Sequence, residues 1–306
     1  MNKWPHFDLD EIQAATKVLE SGKVNYWTEG RLFEQEFAEY IGVEHAVAVA
    51  NGTVALELCL RTLGVGAGDE VIVTSRTYLA SVSAIVMCGA RPVFADVDLN
   101  SQNITLESIR DAKTPKTKAI ICVHLAGWPC DMPVIMDYAN SHNLYVIEDC
   151  AQAHGAAVHS KKVGSWGHMA AFSFCQDKIM TTGGEGGMVT TNSRHLWQKA
   201  WAYKDHGKSY DTVYHHDHPP GFKWLHESIG TNWRMTEMQS AIGRVQLRKL
   251  DGWVAKRNFL AEQYSHFFSK YDYFRVTRAP DQYVHAYYKY YIFVQLEKLP
   301  GSLSRD

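Results

Sequence analysis

Short apolar runs alternate with helix-length segments through the first two-thirds of the chain, and this alternation restricts the fold more than any other feature. The apolar runs, each of strand length, are His45–Ala50, Glu70–Thr74, Pro92–Ala95, Lys118–Val123 and Leu144–Ile147. Helix-length segments separate them and end near a glycine or a polar residue: Thr53–Leu63, Leu79–Cys88, Leu106–Ala112 and Met132–Ser141. Because a helix that crosses between two strands leaves them parallel, the pattern predicts an α/β fold with a mostly parallel central sheet covered by helices.

Helical segments precede this region, and the rhythm changes after it. Asp8–Glu20 predicts an amphipathic helix with Asp8 as its N-cap and with Leu9, Ile12 and Leu19 on one side. The later part predicts two strands around a glycine-rich loop, a helix, a long surface loop, further helix and a final strand: Ala170–Phe174, Gly187–Thr191, Ser193–Tyr203, Asp205–Gly230, Thr236–Lys270 and Tyr287–Val294.

Charge, apolar runs and cysteines each disfavour a class of partner or environment. Thirty-one basic residues face thirty-three acidic ones, so the net charge of -2 offers no field that would hold nucleic acid or an anionic membrane. No apolar run reaches the roughly 18 residues of a membrane-spanning helix, and the first residues lack an apolar signal core. The six cysteines form no C-x-x-C pair, which favours reduced thiols and a cytoplasmic location.

Polar residues follow several of the predicted strands at their carboxyl ends, where ligands gather in an open α/β sheet. They are Asn51-Gly52-Thr53, Arg76-Thr77-Tyr78, His124, Glu148-Asp149 and Lys178. Together they would supply an anion cradle, an aromatic plate, a carboxylate and an amine. Each also has an ordinary explanation, as a helix cap, a structural ion pair or a solvated surface charge.

Three other motifs are weaker than they look. Gly64-x-Gly66-x-Gly68 follows a helix and precedes a strand, the reverse of a dinucleotide-binding loop, so it predicts a turn. The His215–His218 run predicts surface residues, since neighbouring loop histidines rarely converge on one ion. The set Cys122, His124 and Cys130 lacks metal-ligand spacing, and no metal site is predicted.

Five runs resemble a known family. They are Phe172–Lys178, Thr181–Met188, Asn51–Leu56, Glu148–Gly155 and Gly230–Met235, the last followed by Glu237 and Gln239. Their residues and their order are similar to those of the DegT/DnrJ/EryC1/StrS sugar aminotransferases, which are fold-type I enzymes dependent on pyridoxal 5′-phosphate. The resemblance covers residues from about 20 to 300 and implies the same fold and the same cofactor.

The resemblance also implies a role for each matching residue. Lys178 would bind the cofactor covalently and later move a proton, and Asp149 would pair with the pyridine nitrogen and keep it protonated. The implied binding residues are Tyr78 stacked on the ring, Gln152 at the ring hydroxyl, and Gly52, Thr53 and Ser173 at the phosphate. Asn232 resembles the residue that a neighbouring subunit lends to that phosphate, which implies a homodimer with a shared active site.

The implied reaction is the conversion of a nucleotide-linked keto-sugar to an amino sugar, with glutamate as the amino donor, for a surface polysaccharide such as lipopolysaccharide or for a glycosylated metabolite. Family members that dehydrate sugars carry histidine where this chain has Lys178, so the lysine favours transamination. Two alternatives remain: a dehydratase or isomerase of the same fold, and a non-catalytic regulatory or binding relative.

The resemblance divides the chain into two parts. Residues 1–245 would form the large cofactor-binding domain, including the N-terminal helical segment. Residues 246–306 would form the start of a smaller C-terminal α+β domain that is incomplete, because family members continue well beyond the Tyr287–Val294 strand.

Overall fold

A seven-stranded sheet forms the centre of the molecule, whose computed structural model describes residues 4–217 and 226–301. Two smaller sheets accompany it. In chain order the strands are β1 His45–Val49, β2 Glu70–Thr74, β3 Arg91–Ala95, β4 Thr117–Val123, β5 Tyr145–Asp149, β6 Ala157–Val158, β7 Lys161–Lys162, β8 Met169–Ser173, β9 Gly187–Thr191, β10 Phe274–Val276, β11 Tyr283–Val284 and β12 Ile292–Val294.

The large sheet has the strand order β1-β9-β8-β5-β4-β2-β3. Strands β3, β2, β4, β5 and β8 run parallel to one another, whereas β9 pairs antiparallel with both β8 and β1. Every residue of β2, β8 and β9 is buried, as expected for strands covered on both faces. The predicted α/β architecture with a mostly parallel sheet is therefore confirmed.

Helices cover both faces of the sheet. They are α1 Leu9–Ser21, α2 Thr28–Ile41, α3 Gly52–Thr62, α4 Ala80–Met87, α5 Leu106–Ala112, α6 Met132–Ser141, α7 Arg194–Lys204, α8 Tyr210–His215 and α9 Glu237–Phe268. Alternate residues of β1 point to opposite faces: Val47 and Val49 join the core with α3 and α7, and Ala46 and Ala48 join the core with α2 and α9. Among the described residues, no helix is both long and apolar enough to span a membrane.

Helix α1 forms where the sequence predicts it, but its apolar side does not pack as the pattern suggests. Asp8 is the N-cap as predicted and makes a capping box with Glu11, and Gly22 ends the helix. Leu9, Ile12 and Leu19 are exposed, and the buried residues are Val18 and Glu11. Tertiary contacts explain this reversal, because the Glu11 carboxylate accepts hydrogen bonds from side chains of α9.

Two later predictions are wrong in part. The stretch Asp205–Gly230 is not all loop, since it contains α8, which Ser209 caps by accepting a hydrogen bond from the Thr212 amide at 3.3 Å. Residues 218–225 of that stretch, including His218, lie outside the described residues. The predicted strand Tyr287–Val294 forms only as β12, because Tyr287 has a left-handed backbone with φ of 44° and cannot continue an extended strand; its carbonyl accepts a hydrogen bond from Arg257 at 3.2 Å.

Candidate active site

A cavity of about 730 Å³ opens at the carboxyl ends of β5 and β8, beside the first turn of α3. Its volume lies within the range of small-molecule sites. Seven of the eight site residues predicted from the sequence line it: Gly52, Thr53, Tyr78, Asp149, Gln152, Ser173 and Lys178.

The register of the sheet brings three chain segments together at this cavity. Gly187 opens β9 and pairs with Val49 at the end of β1 and with Ser173 at the end of β8. A Cβ atom on Gly187 would lie 2.4 Å from the carbonyl oxygen of Asn51, so only glycine allows this approach. The antiparallel insertion of β9 therefore places the start of α3 against Ser173.

The first turn of α3 forms an anion cradle. Asn51 caps the helix by accepting a hydrogen bond from the Val54 amide at 3.0 Å. A Cβ atom on Gly52 would lie 2.5 Å from Cβ of Ser173, so the absence of a side chain keeps the backbone next to that serine. The amides of Gly52 and Thr53 have no acceptor within the helix, and the helix dipole favours negative charge there.

Asp149 ends β5 and is 6% exposed. Its Oδ2 accepts a hydrogen bond from the Ser81 hydroxyl at 2.7 Å, and its Oδ1 accepts one from the Ala151 amide at 3.1 Å. Burial raises the pKa of Asp149 above its usual value, although the Ser81 and Ala151 hydrogen bonds oppose this shift. A carboxylate in this position becomes much easier to ionise when a cation binds beside it.

Lys178 lies in a tight turn after β8. Its amide donates to the Cys175 carbonyl at 3.0 Å, and its own carbonyl accepts from Nε1 of Trp4 at 3.1 Å. The side chain is 14% exposed, and its Nζ lies 3.3 Å from Oδ2 of Asp177. The amine therefore sits in the wall of the cavity and not in bulk water.

Tyr78 and Gln152 complete the predicted set on this chain. Tyr78 follows β2, and the residue is 73% exposed at the mouth of the cavity, where a flat ligand could stack on its ring. Gln152 is fixed by its Oε1, which accepts a hydrogen bond from the Ala126 amide at 2.7 Å. Its amide nitrogen takes no part in that hydrogen bond.

Asn232 does not line this cavity. Asn232 is exposed and its backbone pairs with Asp205, and Arg234, two residues later, pairs with Val49 at the end of β1. The segment is thus held close to the strand end but presents Asn232 outward. Its suggested role at the site of a neighbouring subunit stays a prediction.

His124 and Glu148, which the sequence also placed at the strand ends, do not face the cavity. Both side chains are fully buried and are joined by a hydrogen bond of 3.0 Å. His124 Nδ1 accepts from the Cys130 amide, so Nε2 carries the proton that Glu148 accepts. Glu148 also accepts hydrogen bonds from the backbone amides of Gly164, Trp166 and Gly167. The pair therefore has a structural role: Glu148 fixes the backbone of residues 164–167.

Sequence reasoning missed several cavity residues. Ser81 lies in the first turn of α4, and its hydroxyl is 2.7 Å from that of Thr77, which precedes the helix and was already among the predicted strand-end residues, so its nearness to that set in the sequence was the available signal. Asp177 precedes Lys178 and was given no role of its own. Tyr288 and Lys289 arrive from a distant C-terminal segment, and no local pattern marks them.

Comparisons with known proteins find matches along most of the chain. The family model described as the DegT/DnrJ/EryC1/StrS aminotransferase family matches residues 5–304. The GDP-perosamine synthase of Escherichia coli O157:H7 is 44% identical over 244 residues, which are 80% of this chain and 63% of that protein. The spore coat polysaccharide biosynthesis protein SpsC of Bacillus subtilis is 37% identical over 294 residues, 96% of this chain and 75% of SpsC.

The solved structures agree in architecture. An aminotransferase from Psychrobacter cryohalolentis superposes with a TM-score of 0.96 at 57% identity, covering 99% of this chain and 80% of that one. The match confirms the predicted fold-type I architecture. This chain spans somewhat less than two-thirds of the E. coli relative's length. The chain belongs to the DegT/DnrJ/EryC1/StrS aminotransferase family.

Proposed function

We propose that the protein is a pyridoxal 5′-phosphate-dependent aminotransferase that converts a nucleotide-linked keto-sugar to an amino sugar, with glutamate as amino donor. One observation carries the proposal: the Lys178 amine, the buried Asp149 carboxylate and the α3 anion cradle all line a single cavity. The names of the relatives support the substrate class, since one of them makes GDP-perosamine, a nucleotide-linked sugar.

The residues present fit the cofactor. Asp149 is a buried carboxylate with no cationic hydrogen-bond partner among the described residues, and a protonated ring nitrogen would supply that partner. Gly52, Thr53 and Ser173 would hold the phosphate through helix-end amides and hydroxyl groups. Tyr78 would cover one face of the ring, and Gln152 would meet the ring hydroxyl.

The bound cofactor would supply an electron sink next to the carbon that loses its proton. Asp149 would keep the ring nitrogen protonated, which strengthens that sink. Lys178 Nζ would move the proton between the two carbons that exchange the amino group. Both residues are held by the fold before any ligand binds, because β5 and the turn after β8 fix their backbones.

Cofactor uptake tests the assignment directly. The purified protein should gain a visible absorption band with pyridoxal 5′-phosphate, the band should bleach on addition of glutamate, and Lys178→Ala should show no such band. Lys289→Ala is the matched control, since Lys289 also lines the cavity, and it should keep the band. A wild-type protein that stays colourless with excess cofactor would contradict the proposal.

Product analysis tests the reaction class. With a nucleotide-linked keto-sugar and glutamate, we expect an amino sugar and 2-oxoglutarate in equal amounts. A deoxygenated sugar without an amino group would instead indicate a dehydratase on the same scaffold. Binding of cofactor with no turnover of any keto-sugar would indicate a non-catalytic relative.

We also propose that two copies of the chain share their active sites, with Asn232 of each contributing to the phosphate site of the other. Support comes from its exposed position and from the pairing of its segment with the end of β1, the strand that precedes the α3 cradle. Sedimentation of the purified protein should give the mass of a homodimer, and a monomer that retains full activity would refute the proposal.

We further propose a cytoplasmic role in making a surface polysaccharide. The six cysteines are all free thiols, as a reducing compartment favours. SpsC supports the polysaccharide, since its name places it in spore coat polysaccharide biosynthesis. A strain without the gene should lose one amino sugar from its surface polysaccharide, and fractionation should find the protein with cytoplasmic markers.

The division into residues 1–245 and 246–306 is likewise a proposal. The predicted cavity residues precede the boundary, whereas Tyr288 and Lys289 reach the cavity from beyond it. The boundary falls within the continuous helix α9. If the division is right, the second part should move as one body relative to the large sheet. Crystal structures with and without cofactor would test this.

A further inference from the structure

Tyr288 links the C-terminal part of the chain to the turn that carries the Lys178 amine. Its hydroxyl donates a short hydrogen bond to Oδ2 of Asp177. The same Oδ2 lies 3.3 Å from Nζ of Lys178, so one carboxylate oxygen receives two donors. Nζ of Lys178 also lies 5.1 Å from the centroid of the Tyr288 ring.

The segment that carries Tyr288 is fixed in the fold. The Ala286 amide donates to the Gly127 carbonyl at 2.9 Å, and the Lys289 amide donates to the Ala126 carbonyl at 3.2 Å. Arg257 of α9 donates to the Tyr288 carbonyl at 3.5 Å. These contacts tie the segment to the loop after β4, so the Tyr288 hydroxyl reaches Asp177 from a rigid base.

Other ionisable groups also surround the amine. They are Asp149, His154, Cys175, Glu185 and Lys289. Among the described residues, Asp177 is the carboxylate with an oxygen within 4 Å of Nζ. Burial opposes ionisation of Asp177, but the Tyr288 hydrogen bond and the Lys178 charge outweigh it, so the pKa of Asp177 lies below its usual value. Asp177 therefore binds the amine as a carboxylate.

We propose that Tyr288 is a positioning residue that acts through Asp177 to control how strongly the carboxylate retains the Lys178 amine. The inference rests on the proposed function, in which that amine reacts. The Tyr288 hydroxyl donates to Oδ2 of Asp177, which withdraws negative charge from that oxygen and fixes the carboxylate. The Lys178 amine is therefore held in the cavity but can still dissociate from Asp177. Without Tyr288 the carboxylate would bind the ammonium group more tightly.

The reactivity of Lys178 in the full chain freed of cofactor tests this. A brief pulse of acetic anhydride at mildly alkaline pH, followed by mass spectrometry, gives the acetylation rate of Lys178 relative to the exposed Lys116. Asp177→Asn should raise the rate by about two- to five-fold, and Tyr288→Phe should lower it by a similar factor, the range of a partly exposed ion pair. A merely structural disturbance would not move the two variants in opposite directions.

The double variant and a matched tyrosine complete the test. In an Asp177→Asn background, Tyr288→Phe should not change the acetylation rate of Lys178 further, because Tyr288 acts on the amine only through the Asp177 carboxylate. Tyr290→Phe is the control, since the Tyr290 hydroxyl lies 3.0 Å from the Ser265 hydroxyl, and it should leave the rate unchanged. An unchanged rate in Tyr288→Phe, or an effect that persists without Asp177, would overturn the proposal. Failure of the proposed function would appear separately, as a protein that takes up no cofactor.

Discussion

Burial shifts the pKa values of two ionisable residues near the cavity in opposite directions. Burial raises the pKa of Asp149, and burial together with the nearby Lys178 charge lowers the pKa of His154 to about 3. His154 lies between Phe172 and Phe174, with ring centroids 5.6 and 5.7 Å away. Neither of its ring nitrogens has a well-formed hydrogen bond to a described residue, although the Ser173 backbone lies close by. His154 is therefore a neutral aromatic filler at ordinary pH.

Replacing His154 with phenylalanine should flatten the acid dependence of stability. Since the folded-state pKa lies below the ordinary 6.5, the unfolded chain binds the proton first. The contribution of His154 to the free energy of unfolding is thus complete above about pH 6.5. It falls by about 1.4 kcal/mol per pH unit as the pH drops toward 3. Urea unfolding of the cofactor-free protein at several pH values measures this slope, and an equally steep slope in His154→Phe would contradict the interpretation.

At the scale of elements, α9 anchors the N-terminal helices to the sheet. Arg244 donates to Glu29 and Glu36 of α2 at 2.6 Å each. Glu237, at the first turn of α9, accepts hydrogen bonds at 2.7 to 2.8 Å from the amides of three residues at the start of α2: Trp27, Glu29 and Gly30. One buried carboxylate of a later helix therefore caps an earlier one.

Glu237→Ala should destabilise the protein by about 3 kcal/mol, because it leaves three amides without their acceptor. The matched control is Glu262→Ala on the same helix, where an exposed pair with Arg278 should contribute at most about 0.5 kcal/mol. Urea unfolding of both variants gives the comparison. A loss for Glu237→Ala as small as that of the control would show that water replaces the capping carboxylate.

At the scale of the whole molecule, the site is assembled from parts of the chain that are far apart in sequence. Trp4 holds the Lys178 carbonyl, the sheet supplies Asp149 and Ser173, and Tyr288 closes the turn from the C-terminal side. The strand order places β9 between β1 and β8, which brings the α3 cradle to the turn that carries the lysine. The proposed second subunit would add Asn232 to this assembly.

Mixed dimers should reveal whether the sites are shared. Lys178→Ala and Asn232→Ala chains, each of low activity alone, would form a heterodimer in which one site has both residues intact. Random mixing should then restore about a quarter of the wild-type activity, since half the dimers carry one intact site of two. Mixing without recovery, in dimers shown to exchange subunits, would place Asn232 outside the neighbouring site.

Local patterns were sufficient for most elements of the central sheet and for much of the candidate site. Strand β2 and helices α5 and α6 have the predicted ends, because apolar runs, caps and glycine stops act over a few neighbouring residues. Residues that follow strands, such as Asp149 and Lys178, could be proposed because parallel strands end at one edge of a sheet. The motif order then identified the family, which the comparisons confirmed.

The sequence by itself therefore determined the alternation of strands and helices, the family and seven residues of one cavity. Only the tertiary structure decided which side of α1 is buried, that Glu148 supports a loop while its neighbour Asp149 faces the cavity, and that Tyr288 reaches Asp177. The physical reason is the range of the interactions. Hydrophobic periodicity and helix capping act between residues that are close in the sequence. A buried carboxylate instead accepts hydrogen bonds from donors that can be far away in the sequence, and such long separations produce no local sequence pattern.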